Sequence, residues 1–392
     1  GEAWLGHVRL AIVDPEQGAQ PMVHPDGTVG VAFNGEIYNH QSLRALLDPG
    51  TRFRTRCDTE VLVHLYRERK EFLVADLDGM FAFAMATPDG LLLARDPLGI
   101  KPLYYGRRGD VFLVASELKA FPRMDELAAL PAGHCGFAGE TPRRFSLPCA
   151  PYPMPDPTPA MAMKGLRERL EAAVVKRLMG DVPVGVFLSG GLDSSIVAAL
   201  MRPHVPRLLS FAAGMPGAPD LEAARRVAGF LGTEHHEVVY TAEEAIAALP
   251  EVVASLESFD APLVRSAVPG WFVSKRAAGH VKVVLTGEGA DELFAGYAYL
   301  GNLGGGEALR RELDGILDRL QDTNLQRTDR MTMAHGLEGR VPFLDLDLVR
   351  YACSLPVEML EPREDRPPKW LLREAFRDLL PAEIVDRPKM KF

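Results

Sequence analysis

The chain has 392 residues, of which 47% are hydrophobic and 25% charged, and it carries a formal net charge of −9. That length predicts two domains rather than one core, and the composition is that of a globular protein. The acidic balance supplies no basic excess to neutralise phosphates, which argues against a nucleic-acid partner. No apolar run is long enough to span a bilayer and no signal peptide opens the chain, so a cytoplasmic location is expected. Four cysteines, Cys57, Cys135, Cys149 and Cys353, stand far apart with no C-x-x-C spacing. They predict reduced thiols rather than a zinc or redox centre. Residues 1–7 and 387–392 read like interior sequence, and both ends are expected to be incomplete.

In chain order, short alternating segments at 8–13, 29–33, 81–86, 91–95 and 111–115, bounded by turn residues, predict strands. Helices are predicted over 39–47 and 58–69, the second with Val61, Leu62 and Leu65 on one face and Asp58 as its N-cap. Many strands with few helices predict an α+β domain built on antiparallel sheets over residues 1–147. Prolines 148, 151, 153, 155, 157 and 159 can continue neither helix nor central strand, and predict a linker over 148–160. Beyond it strands at 182–188, 208–212, 237–239 and 281–286 alternate with helices at 194–201, 221–231, 244–256 and 271–278. From 307 on the chain is mostly helical. The alternation predicts a doubly wound parallel sheet over 161–392, covered on both faces, with ligands at the carboxyl ends of its strands. The overall class is α/β.

The run Ser189-Gly190-Gly191-Leu192-Asp193-Ser194-Ser195 lies between an apolar strand and a helix. Two glycines allow close approach of backbone to an anion. Successive N–H groups and the helix start can then cradle phosphate oxygens. Ser189, Ser194 and Ser195 add hydroxyl donors, and Asp193 is placed to hold Mg²⁺. No G-K-[ST] follows, so this is not a Walker A loop. A second apolar strand ends in Gly287-Glu288-Gly289-Ala290-Asp291-Glu292. Three acidic groups after a buried strand call for positive charge or metal nearby. A solvated acidic helix start is the plainer alternative.

The ordered set of SGGLDSS (189–195), GEGADELFAGY (287–297), LEGRVPFLD (337–345) and RPKMKF (387–392) resembles the glutamine-hydrolysing asparagine synthetases. The N-terminal blocks GHVRLAIVD (6–14), FNGEIYNH (33–40), CDTEV (57–61), GMFAFA (79–84) and ARDPLGIKPLYY (94–105) resemble the amidotransferase domain of the same family, so the likeness covers essentially the whole chain. It implies an Ntn-type antiparallel β-sandwich joined to an ATP-pyrophosphatase domain. It implies Arg9 on the glutamine carboxylate, Asp58 on its ammonium, Asn34 and Gly35 as an oxyanion hole, and Glu36 positioning substrate. Taken singly, Asn34-Gly35 is a hairpin signal, Asp58 a helix cap and Arg9 a surface charge.

In the second domain the resemblance implies ATP bound by Phe187, Ser189, Gly190, Gly191, Asp193, Ser194, Ser195, Ala213, Thr286 and Gly287. It implies Mg²⁺ on Asp193 and Asp291, with aspartate met by Glu288, Arg265 and Arg340. Glu288 is the expected base, and Lys389 is expected to neutralise the pyrophosphate. The substrates are then glutamine, aspartate and ATP, and a homodimer stays open. The chain departs from the family at one point, since the N-terminal cysteine whose own α-amine serves as base is absent. Cys57 cannot replace it and is expected to be an ordinary buried thiol. Either a preceding segment carries the nucleophile, as the retained glutamine set favours, or the enzyme uses free ammonia. Two rivals remain: a ring-closing enzyme of the β-lactam synthetase kind, and a non-catalytic binding module.

Overall fold

The computed structural model describes residues 2–150 and 156–388, and its chain forms two units. The first comprises Gly1–Pro148 with Met179–Asp181. Its strands are β1 (Met22–Val23), β2 (Gly30–Ile37), β3 (Gly79–Thr87), β4 (Gly90–Arg95), β5 (Tyr104–Arg108), β6 (Val111–Ala115), β7 (Glu126–Ala129), β8 (His134–Phe137) and β9 (Arg143–Arg144). An antiparallel sheet of order β1-β2-β3-β4-β8-β9 is accompanied by a smaller one of order β6-β5-β7. The period of two along β3 explains how they pack. Phe81, Phe83 and Met85 join Val61, Leu62 and Leu65 of helix α2 (Glu60–Arg69) and Leu43 of α1 (His40–Leu46) in one core. Ala82 and Ala84, on the opposite face, meet Leu93, Leu103, Tyr105 and Val114 in a second. Small residues on that face let the smaller sheet approach closely. The result is the expected antiparallel sandwich with helices outside it.

Two local expectations fail here. Residues 8–13 form no strand. Val8 is 99% exposed, and the Arg9 guanidinium donates to the carbonyls of Val13 (2.6 Å), Asp14 (3.0 Å) and Pro15 (3.1 Å), folding the segment on itself. Asp58 does not cap α2. Thr59 occupies the N-cap, and Asp58 Oδ2 instead accepts from the Ile37 amide at 2.8 Å.

The second unit comprises Cys149–Leu178 with Val182–Phe392. Helix α3 (Pro159–Lys176) opens it, with the Thr158 hydroxyl accepting from Met161 N and proline in the first turn, so its start falls inside the expected linker. There follow β10 (Val184–Phe187), α4 (Leu192–Met201), β11 (Leu209–Gly214), α5 (Pro219–Leu231), β12 (Glu234–Val239), α6 (Ala242–Leu256), α7 (Ala261–Ala278), β13 (Val283–Leu285) and α8 (Ala290–Leu293). Then come α9 (Gly306–Arg319), α10 (Asn324–Met333), β14 (Glu338–Arg340), α11 (Leu346–Ser354), α12 (Trp370–Ala375) and α13 (Ala382–Val385). The five strands pair in parallel in the order β12-β11-β10-β13-β14. Helix α7 covers Leu209, Phe211 and Val284 with Val273 and Ala277. Right-handed crossovers put α4 and α5 on the other face. Strand order reverses between β10 and β13, so the crevice at their carboxyl ends is the place for a ligand. No helix among the described residues is long and apolar enough to cross a membrane.

Candidate active site

The loop after β10 is held shut by its own hydroxyls. Ser194 Oγ accepts from Ser189 N at 3.2 Å, Ser189 Oγ accepts from Gly191 N at 3.3 Å, and Ser195 Oγ donates to Gly191 O at 2.7 Å. Gly190 sits at φ +70, where a Cβ would strike the backbone of Ala223 and Ala224 on α5. Helix α4 starts at Leu192, two residues earlier than the sequence suggests, so its first-turn N–H groups are those of the motif itself. Across the strand reversal the loop after β13 closes against this one. A Cβ at Gly287 would lie 2.9 Å from Ser194 N and from Asp193 Cβ.

Together the two loops floor a cleft of about 450 Å³, within the range of a nucleotide-sized ligand. Phe187, Ser189, Gly191, Asp193, Ser194 and Ala213 line it, as do Thr286, Gly287, Glu288 and Asp291. Gly190 and Ser195 brace the loop from behind. Arg340 stays out of the cleft. It is fully buried in β14, donating to Glu338 Oε1 at 2.8 Å and to Arg177 O at 2.7 Å, and so is a sheet brace. Arg265 is exposed on α7 and does not line the cleft. Lys389 lies outside the described residues.

At the cleft floor is a lysine that no motif announces. Lys369 Nζ lies 2.6 Å from Asp193 Oδ2 and 2.7 Å from Asp291 Oδ1, and is 6% exposed. Burial opposes its charge, but the two carboxylates prevail and raise the ammonium above its ordinary range. Its backbone sits at φ +61, a costly conformation for a residue with a Cβ. The chain opposite is bare: a Cβ at Gly296 would collide with Asp291 Oδ1 and Lys369 Cε. Lys369 is 176 positions from Asp193, so only folding reveals the pair.

Three further groupings border the cleft. Arg327 NH2 donates to Glu288 Oε1 at 2.5 Å. Glu292, 1% exposed, accepts from Asn324 Nδ2 at 2.8 Å and from the Tyr297 hydroxyl. Burial first, and then the charge of Glu288, push the Glu292 carboxyl up to about 7 against the opposing Tyr297 bond. Arg387 donates to Gly190 O at 3.2 Å and to Asp220 Oδ1 at 2.7 Å. Arg373 donates to the carbonyls of Val385 and Arg387 and so ties residues 385–387 to α12.

In the first unit Asn34 and Gly35 sit within β2, opposite Ala82 and Phe81, and not at a hairpin tip. Gly35 is at φ +139, and a Cβ there would strike Met80 O. Glu36 and Asp58 are both 3% exposed. Arg9 donates to Asp14 O, Arg56 N donates to Asp14 Oδ2 at 2.7 Å, and Asp58 receives Ile37 N just past the Asn34–Glu36 run. Cys57 is 3% exposed, and burial followed by the Asp58 charge pushes its thiol up to about 12. A thiol held that high is no nucleophile. The ARDPLGIKPLYY block proves to be a buried brace: Asp96, fully buried, accepts from the amides of Leu98 (3.1 Å), Ile100 (3.0 Å) and Lys101 (3.0 Å).

Comparison with known proteins agrees with this geometry. Residues 1–130 match the glutamine amidotransferase domain family, and residues 165–313 and 301–392 match the asparagine synthase family. An asparagine synthetase [glutamine-hydrolyzing] of Triphysaria versicolor is 40% identical over 424 aligned positions, covering 100% of this chain and 70% of that protein. A second, from Lotus japonicus, is 40% identical with the same coverage. A probable asparagine synthetase [glutamine-hydrolyzing] of Schizosaccharomyces pombe is 41% identical, covering 99% of this chain and 76% of that protein. Likeness of this extent, on an antiparallel sandwich followed by a parallel sheet with a phosphate-loop cleft, places the chain in the glutamine-hydrolysing asparagine synthetase family.

Proposed function

We infer that this protein amidates aspartate to asparagine at the expense of ATP, releasing AMP and pyrophosphate, with ammonia drawn from glutamine. The first unit is the glutamine amidotransferase domain and the second the synthetase domain. The observation that carries the reading is the convergence of Asp193, Asp291 and Lys369 beneath the Ser189–Ser195 loop, at the reversal of a parallel sheet.

A carboxylate is a poor electrophile, and adenylation provides the missing leaving group. The N–H groups at the start of α4 and the serine hydroxyls hold the β- and γ-phosphates. Asp193 and Asp291 form a pair of hard oxygen donors that fits Mg²⁺, which when bound neutralises charge on the phosphates. Lys369 places a buried positive charge where pyrophosphate departs, a fixed electrostatic stabilisation of the kind that lowers such barriers most. Lys389 serves the same end, and the anchoring of Arg387 beside Gly190 supports that assignment. Glu288, held by Arg327, faces the cleft and takes the proton shed when ammonia attacks the acyl-adenylate. In the first unit Arg9 and Asp58 hold the two ends of glutamine, with Asn34, Gly35 and Glu36 around its amide.

The deciding assay supplies aspartate and Mg-ATP with either glutamine or ammonium, and follows AMP, pyrophosphate and asparagine. Equal yields of AMP and asparagine are expected with ammonium. AMP release that needs no nitrogen donor would instead favour a ring-closing enzyme.

A further inference from the structure

Cys149 and Cys353 lie 204 positions apart in sequence, yet the fold of the second unit brings their sulfurs to 2.8 Å. Cys353 is in the last turn of α11, and Cys149 is the first residue of that unit. Both are partly exposed, whereas Cys57 and Cys135 are buried. A carboxylate oxygen of Asp314, on α9, lies within 4.8 Å of both sulfurs. Three such groups resemble a metal site, but the spacing is wrong for one. Two thiolates on zinc, each about 2.3 Å from the metal at a tetrahedral angle, stand roughly 3.8 Å apart. This pair is closer than that.

We propose that Cys149 and Cys353 are a reversible modification site, joined in an intramolecular disulfide by exchange with a small disulfide such as oxidised glutathione. The reaction balances in two displacements. The Cys149 thiolate attacks one glutathione sulfur, forming a mixed disulfide and expelling a glutathione thiolate that takes up a proton. Cys353 then attacks the Cys149 sulfur and expels the second glutathione. Two protein S–H bonds are lost, one S–S bond forms, and the two electrons reside on two glutathione thiols. The order of attack follows from local chemistry. Cys353 donates its hydrogen to Cys149 and is partly shielded from water, both of which hold its proton on, so Cys149 strikes first. Burial raises the Asp314 carboxyl, which makes it a better acceptor for the Cys353 proton in the second step.

Such a bond closes a loop of about 200 residues and so restricts the unfolded chain strongly. The test treats the full protein with oxidised glutathione, alkylates the remaining thiols in denaturant, and digests without reductant. The expected result is a peptide pair linked through Cys149 and Cys353, with Cys57 and Cys135 alkylated. The thermal midpoint of the second unit should rise by about 5 °C or more, reversibly with dithiothreitol, and Cys149→Ser should abolish the rise. The proposal is overturned if both cysteines remain alkylatable, if each carries its own glutathione, or if stoichiometric zinc bound by the pair blocks the exchange.

Discussion

Lys369 shows how much one side chain can carry. Its ammonium is the counter-charge for two carboxylates at the cleft floor, so replacing it leaves both without that charge. Lys369→Met should lower ammonium-dependent AMP formation by about 10²–10³-fold, the usual loss for a fixed electrostatic donor. It should also cost about 3–5 kcal/mol of stability, as breaking buried ion pairs does; steady-state kinetics and denaturant titration check the two separately. Asp193→Asn should release little pyrophosphate, and undiminished release in a purified variant would refute its role on the phosphates. Glu292 gives a pH signature. Its carboxyl is raised from the ordinary 4.5 to about 7, so the folded state holds a proton that the unfolded chain has released. That contribution is fully present below pH 4.5 and is lost as pH rises through 7, about 3 kcal/mol in all. Glu292→Gln removes the titration, and its stability relative to wild type should climb between pH 5 and 8 in urea unfolding series. A flat difference across that range would contradict the assignment.

At the scale of elements, what the sequence revealed depended on how local the cause was. Strand β6 and helix α5 were legible because alternation and a helical repeat are written in consecutive residues. Helix α7 was read only from Trp271, although Pro269 lies inside it. It starts at Ala261, where Asp260 caps Leu263 N at 2.8 Å and packing on the sheet outweighs the lost hydrogen bond. Strand β14, Glu338-Gly339-Arg340, has no apolar signature, because its charges are paired inside the protein. The Arg95–Lys101 turn illustrates the converse, a recognised motif whose work is structural. Removing the Asp96 carboxylate strands the buried amides of Leu98, Ile100 and Lys101. Asp96→Ala should therefore cost about 3–5 kcal/mol and shift the melting transition of the first unit alone. Scanning calorimetry would detect it.

For the whole molecule, the two units have separate cores, one around Phe81 and Phe83 and another around Phe211 and Val284. Separate cores predict separable unfolding. Mg-ATP at about 100 times its dissociation constant should stabilise the second unit by about 2.7 kcal/mol and leave the first unit's transition in place. A single transition that moves as one would show that the units unfold together. The phosphate loop and acidic block were readable in advance, since each is a contiguous run. Lys369, Arg327 and Asn324 were not, for they reach the cleft from helices and turns after residue 296 and carry no local signature.

The bare α-carbon of Gly296 sets the tolerance of the synthetase chemistry. It is the spot where the chain passes Lys369 and Asp291 with no room for a methyl group. One added carbon would therefore wedge the lysine away from its carboxylates without altering a single charge. Gly296→Ala should therefore slow ATP cleavage in the second unit by moving a charge rather than removing one, a lesion of position alone.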